Sequence, residues 1–284
     1  MRGVESYLTN SERRRRRVRR RIAFLLLAGL LCFFVEGVVW LVICSPLFRL
    51  QEIIIQGSGR VSSTAIIDVA QSQMGRGNRS WNFLLGTQSL LAWPSEFDAK
   101  SMTLLPSIKS VTISKDFSGR KVYVTISERL PEGVWCLAIP TASSTDGIAR
   151  TPSCWWFDER GFLFARAPTA EGSIVHAVYD YSGRELGLSV QALAPEFMPN
   201  LLSVFSALET SGVGAQELRL NNVDLEEVEA WTQSGTKLYF SLRFPATNTA
   251  EVIQRFLFPN ASSSNVGSRP QYIDFRVENR AYYK

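Results

Sequence analysis

Between Ile22 and Ser45 runs a stretch of 24 residues whose only charged side chain is Glu36. No feature constrains the fold of this chain more. A helix rises about 1.5 Å per residue, so such a run extends about 36 Å, beyond the ~30 Å of a bilayer's hydrocarbon layer. Arg13–Arg17 and Arg19–Arg21 abut it on the N-terminal side. Short flanking segments rich in Arg stay in the cytoplasm. Residues 1–21 therefore read as a cytoplasmic basic tail, 22–45 as a single transmembrane helix, and everything beyond as exported. A cleaved signal peptide would carry about 7–15 apolar residues and a small-x-small exit. This run is longer and leaves through Ile43-Cys44-Ser45-Pro46, so retention as an anchor is expected.

The charge is local. Of a formal net charge of +5, residues 1–21 supply nine Arg and two Glu, or +7, which leaves −2 for the rest of the chain. Such a cluster beside an apolar span marks topology and meets anionic headgroups; a nucleic-acid partner is not expected. Glu36 is costly in a bilayer unless protonated or paired. It reads as a candidate intramembrane helix–helix contact, a protonated or snorkelling carboxyl being the other reading. Over the whole chain 45% hydrophobic and 20% charged residues describe a packed, globular protein.

Past the span, Leu50–Gly57 reads as a strand ending at a turn glycine and Val61–Ala70 as a helix entered through a Ser cap. Gly75–Ser80 is a Gly- and Arg-containing loop, and Trp81–Leu85 a short strand or turn. A second helix falls within Ser95–Leu105, ended by Pro106. Ile108–Lys115 and Lys121–Glu128 alternate apolar and polar residues across Asp116-Phe117-Ser118-Gly119, the pattern of a half-buried hairpin. Beyond Pro131 the pattern is mostly β: Gly133–Ile139, Cys154–Phe157, Gly161–Ala165, Ala215–Leu220, Val228–Thr232 and Leu238–Phe244. Two helices interrupt it, Pro199–Thr210 and Thr249–Phe258, whose apolar stripes read as core faces.

Little here suggests catalysis. His176 is the only histidine, which excludes a multi-histidine zinc site, and no nucleophile elbow, phosphate-cradling glycine loop or H-E-x-x-H occurs. No catalytic, cofactor-binding or metal-binding residues are assigned, and no enzyme is expected. Cys136 and Cys154 lie in the exported part, flanked symmetrically by Trp135 and Trp155 across a Ser/Thr/Pro-bearing loop. Pairing their strands would bring the sulfurs together in a disulfide-permissive compartment, a bridge worth about 3 kcal/mol. Two buried thiols are the alternative.

The order of elements carries a resemblance. Gly57 and the Val61-Ser62 helix start, then Leu105-Pro106-Ser107-Ile108, then Ile126-Ser127-Glu128-Arg129-Leu130-Pro131, resemble the POTRA domain of the bacterial cell-division family FtsQ/DivIB. Trp156–Phe164 looks like that family's "D-x-x-G-x-x-F" turn, and Tyr272–Lys284 like its C-terminal "I-D-L-R" strand. The loop around Gly75–Trp93 and the segment Ala138–Pro152 depart from the pattern. The resemblance implies an α+β chain: tail, single transmembrane helix, a POTRA domain (β-α-β-α-β-β) over 47–128, and a mostly antiparallel β-domain with short helices over 129–284. It further implies a divisome scaffold in the bacterial plasma membrane at the septum, holding FtsB/DivIC- and FtsL-type membrane proteins and contacting septal cell-wall synthases. The family binds partners at its last strand, which carries the role to Arg276, Val277, Asn279, Ala281 and Tyr283, with Asp274 and Phe275 as its packed entry. Strand addition at that edge is the expected mechanism. Asn78-Arg79-Ser80 and Asn260-Ala261-Ser262 would be glycosylated only in a eukaryotic secretory pathway, which the resemblance argues against. The competing class, a POTRA-bearing component of secretion or outer-membrane assembly machinery, predicts tandem modules or a following β-barrel.

Overall fold

The computed structural model describes residues 4–76, 85–138, 153–169, 175–258 and 269–284. Helix α1, Val4–Cys44, runs unbroken through the Arg cluster, so the basic tail is helical from Val4 onward rather than separate from the span. Neither Gly nor Pro interrupts residues 4–21, and Arg is a good helix former. Within α1, Val18–Leu41 is long and apolar enough to cross a membrane. The helix gives way to a 3₁₀ turn, Pro46–Phe48, capped by Ser45, whose Oγ accepts the Leu47 N–H at 3.3 Å.

The chain divides into two compact units: residues 1–58, 62–101 and 111–126 form one, and residues 59–61, 102–110 and 127–284 the other. The elements that follow α1 are β1 (Glu52–Gln56), α2 (Ser63–Arg76), α3 (Ala99–Leu104), β2 (Ile108–Asp116) and β3 (Lys121–Glu128). The strands form a three-stranded sheet of order β1-β3-β2, with β1 parallel to β3. Helix α2 extends six residues past the expected Ala70 and buries Ile66, Val69, Ala70 and Met74, one helical face. Gly57 leaves β1 with φ +83°, and a Cβ there would lie 2.1 Å from the Ile126 carbonyl oxygen. Only glycine fits that turn. The strand or turn expected at Trp81–Leu85 falls on residues of which 81–84 lie outside the described ones. The same holds for 77–80 of the preceding loop, for 139–152, and for both Asn-x-Ser sequences.

The second unit is built on a nine-stranded sheet. Its strands are β4 (Gly133–Leu137), β5 (Ser153–Phe157), β6 (Leu163–Ala167), β7 (Ala177–Asp180), β8 (Ala215–Leu220), β9 (Glu227–Thr232), β10 (Lys237–Ser241), β11 (Tyr272–Phe275) and β12 (Tyr282–Tyr283). They lie in the order β12-β11-β10-β9-β8-β7-β4-β5-β6. Most neighbours are antiparallel; β4/β7, β7/β8 and β10/β11 are parallel. Two of the three parallel joins link consecutive strands, and helices supply their crossovers: α4 (Met198–Ser211) between β7 and β8, and α5 (Thr249–Leu257) between β10 and β11. Leu201, Val204, Phe205 and Leu208 of α4 join Leu218, Leu220, Val228, Ala230, Leu238 and Phe240 of the sheet in one core.

The structure adds one strand and corrects one sequence expectation. Strand β7 was not foreseen: it is four residues long and ends on Asp180, which is buried, and a charged residue reads as a strand boundary. The carboxylate tolerates burial because Trp135 Nε1 donates to it at 3.1 Å and the Arg184 guanidinium at 2.6 and 2.8 Å. Nor does the C-terminus form one strand over 272–284. It pairs at Tyr272–Phe275, turns, and returns antiparallel as β12, in register Ile273 with Tyr283 and Asp274 with Tyr282. The turn closes with the Arg280 N–H donating to the Val277 carbonyl at 3.1 Å, and Asn279 occupies the left-handed region at φ +58°. Asn is among the few side chains that adopt that conformation readily.

Candidate functional site: the terminal edge of the nine-stranded sheet

Among the described residues β12 ends the sheet. Backbone groups in an antiparallel pair alternate between inward and outward bonding. Lys284 bonds inward, its N–H to the Tyr272 carbonyl at 3.3 Å and its carbonyl from the Gln271 N–H at 2.6 Å. Alternation therefore turns the Tyr283 N–H and C=O to the open edge. The aromatic side chains there are accessible: Tyr282 is 49% and Tyr283 61% exposed. The Tyr283 ring packs against Phe256 of α5, with centroids 4.5 Å apart.

The residues singled out from sequence separate into different roles. Phe275 is buried and stacks on Phe240 at 5.3 Å, which anchors β11 in the core. Arg276 bonds Asp274 through Nε at 2.9 Å and Nη2 at 2.6 Å, and Glu227 of β9 through Nη1 at 2.9 Å, with its guanidinium over the Tyr239 ring at 5.0 Å. These bonds, the Asp274 pair first, raise the Arg276 pKa above its ordinary value. Burial acts to raise the Asp274 pKa, but the Arg276 hydrogen bonds outweigh it and hold the carboxyl below its ordinary value. Arg276 and Asp274 thus brace the end of β11. Val277, Asn279 and Ala281, expected along a strand edge, lie in the turn instead. There they line a cleft of about 210 Å³ that Phe244, Val252 of α5 and Phe275 help to wall. Val277 is 47% exposed at its rim. Edge and cleft adjoin, so an extended segment paired to β12 could set a side chain into the cleft. Tyr282, Phe256 and Val252 were missed from sequence; nothing in their spacing announces that α5 and the terminal turn meet.

Three of the fragments that carried the resemblance, those holding Pro106, Arg129 and Asp158, meet within the second unit. The Arg129 guanidinium is ion-paired with Asp158, stacks over Phe162 at 4.1 Å, and donates through Nε to the Pro106 carbonyl at 3.0 Å. Asp158 also accepts the backbone N–H groups of Arg160 and Phe162, each at 3.0 Å, around Gly161 at φ +78°. Glu128, next to Arg129 in the chain, accepts the N–H groups of Gly59, Arg60 and Val61 at 2.8, 2.9 and 3.1 Å. Burial works to raise the Glu128 pKa, yet these three bonds leave it lowered. Glu128 thus holds backbone, whereas Asp158 holds backbone through Oδ1 and the Arg129 guanidinium through Oδ2.

Cys136 and Cys154 face each other across β4 and β5 and are joined as a disulfide, packed with Val134 and, more openly, Trp156 and Tyr179. Glu36 is exposed on α1. His176 stacks on Phe205 at 4.3 Å, with Nε2 2.7 Å from a Glu209 carboxylate oxygen. Among the described residues no group of three or more His, Cys, Asp or Glu side chains is arranged to hold a metal ion.

No protein-family model matches the chain, and no curated protein matches it. Its class is that of an α+β protein with one N-terminal helix able to span a membrane and a sheet-rich remainder.

Proposed function

We propose that this chain is a bitopic scaffold, anchored by α1 with its N-terminus in the cytoplasm, whose exported part holds other membrane proteins by strand addition at β12. More particularly, we read it as a divisome scaffold of the FtsQ/DivIB kind, with partners of the FtsB/DivIC and FtsL type at the septum of the bacterial plasma membrane. The observation that carries the reading is the open β12 edge beside the terminal cleft. An extended partner would bond the outward Tyr283 N–H and C=O, cover the exposed tyrosines and seat one apolar side chain among Phe244, Val252 and Phe275. The motif-bearing junction of Arg129, Asp158 and Phe162 supports the family likeness. The role expected for Arg276, Val277, Asn279, Ala281 and Tyr283 along one strand edge moves accordingly to β12 and the turn before it.

The test is capture of the exported segment of an FtsB/DivIC-type partner by the full chain in detergent, with Tyr283→Pro as the variant. Proline removes the outward N–H but leaves the inward Lys284 bonds. Capture should fall at least about tenfold, the worth of one hydrogen bond plus lost edge geometry, with the thermal transition unchanged. Undiminished capture by the folded variant would move the interface elsewhere.

A further inference from the structure

The depth of α1 in a bilayer has a consequence for the hairpin that joins β2 and β3. Counting about 20 residues for ~30 Å of hydrocarbon from Ile22, just past the last Arg of the cluster, the apolar layer ends near Leu41. Headgroups occupy about 5–8 Å beyond it, which is where the chain reaches the 3₁₀ turn Pro46–Phe48. The β2–β3 hairpin tip is tied to that turn. Phe117 packs edge-on against Phe48 with centroids 6.3 Å apart, Arg120 Nη1 donates to the Pro46 carbonyl at 3.5 Å, and the Gln51 N–H donates to the Arg120 carbonyl at 2.9 Å. The tip therefore shares the level of the turn.

The side chains gathered there suit a lipid interface. Leu47 is 65% and Phe117 47% exposed, large apolar groups that water alone would leave uncovered. Arg49 and Arg120 flank them, and among the described residues neither forms an ion pair with a carboxylate. Exposed Phe and Leu side chains beside guanidinium groups are the composition of segments that lie in a membrane–water interface, the apolar groups dipping to the acyl boundary and guanidinium on phosphate. We propose that Leu47, Phe117, Arg49 and Arg120 form a second membrane contact, which seats the hairpin tip on the outer headgroup layer and fixes the first unit against the lipid surface. The proposal rests on α1 spanning the bilayer.

The experiment places a nitroxide at Ser118→Cys in the full chain, with Cys32 and Cys44 replaced by Ser, reconstituted in phosphatidylcholine vesicles. It reads collision with oxygen against a water-soluble nickel chelate. A second chain carries the label at Gly29→Cys inside the span. The expected result is a headgroup-level ratio at 118 that shifts to the aqueous limit when Phe117→Asp is added. An aqueous ratio at 118 with a lipid ratio at 29 would overturn the proposal alone. Aqueous ratios at both would overturn the membrane reading and the proposal with it. A headgroup-level ratio at 118 that Phe117→Asp leaves unmoved would overturn the role given to the aromatic contact.

Discussion

Gly57 and Asp180 show how single side chains decide local structure here. At Gly57 a methyl group would meet the Ile126 carbonyl oxygen at 2.1 Å in a backbone conformation that L residues avoid. Gly57→Ala should therefore cost about 2 kcal/mol or more in denaturant melts of the full chain in detergent, more than an ordinary glycine-to-alanine change in a turn. The position was legible in sequence as a turn glycine, although the carbonyl that enforces it was not. Asp180 is the converse. Its charge concealed a central strand, because the groups that compensate it come from Trp135 on β4 and from Arg184 and Ser182 beyond β7. Arg129 lies between these cases: the residues of its motif were visible, but its pairing with Asp158, 29 residues away, was not.

At the scale of elements, period and punctuation located most strands and helices within a few residues. The β2–β3 hairpin, α4 and α5 followed from alternation and helical spacing. The failures share one cause, dependence on a neighbour distant in sequence. Strand β7 exists because β4 and β8 pair with it on both sides, and β12 because β11 is there to receive its return. The alternating residues of 272–284 matched a single strand equally well; Asn279 and the Arg276 brace divert the chain into a turn. The disulfide acts at this scale, tying β4 to β5 at the Cys136–Cys154 pair. Replacing both cysteines by Ser should lower stability by about 3 kcal/mol, the loop-closure entropy for a loop of this length. A denaturant titration of oxidised and substituted chains checks it.

For the molecule as a whole, the lowered carboxylates set its response to acid. Asp180, Asp274 and Glu128 all have folded pKa values below their ordinary ones, since hydrogen bonds to the charged form outweigh burial. A depressed acid contributes stability that is fully present above its unfolded value, about 4, and lost as pH falls through the folded value. Stability should thus be flat from neutrality to about pH 5 and fall below about pH 4. Asp180→Asn should weaken the protein near neutrality by about 3 kcal/mol and make the acid limb shallower, as urea midpoints measured against pH will show. An unchanged acid limb in that variant would mean that Asp180 keeps an ordinary pKa in the folded chain.

Near neighbours along the chain are enough to write an apolar helix long enough to span, hairpins in alternation, helices in apolar stripes, and cysteines set to face each other. The tertiary structure alone decided the nine-strand order, the buried Asp180, the union of Arg129 with Asp158, and the returning β12 edge with its cleft. Periodicity records which face of an element is apolar, whereas pairing order and polar compensation depend on partners at any distance along the chain. The candidate site belongs to the second group, because an open edge is defined only once every other strand has taken its place.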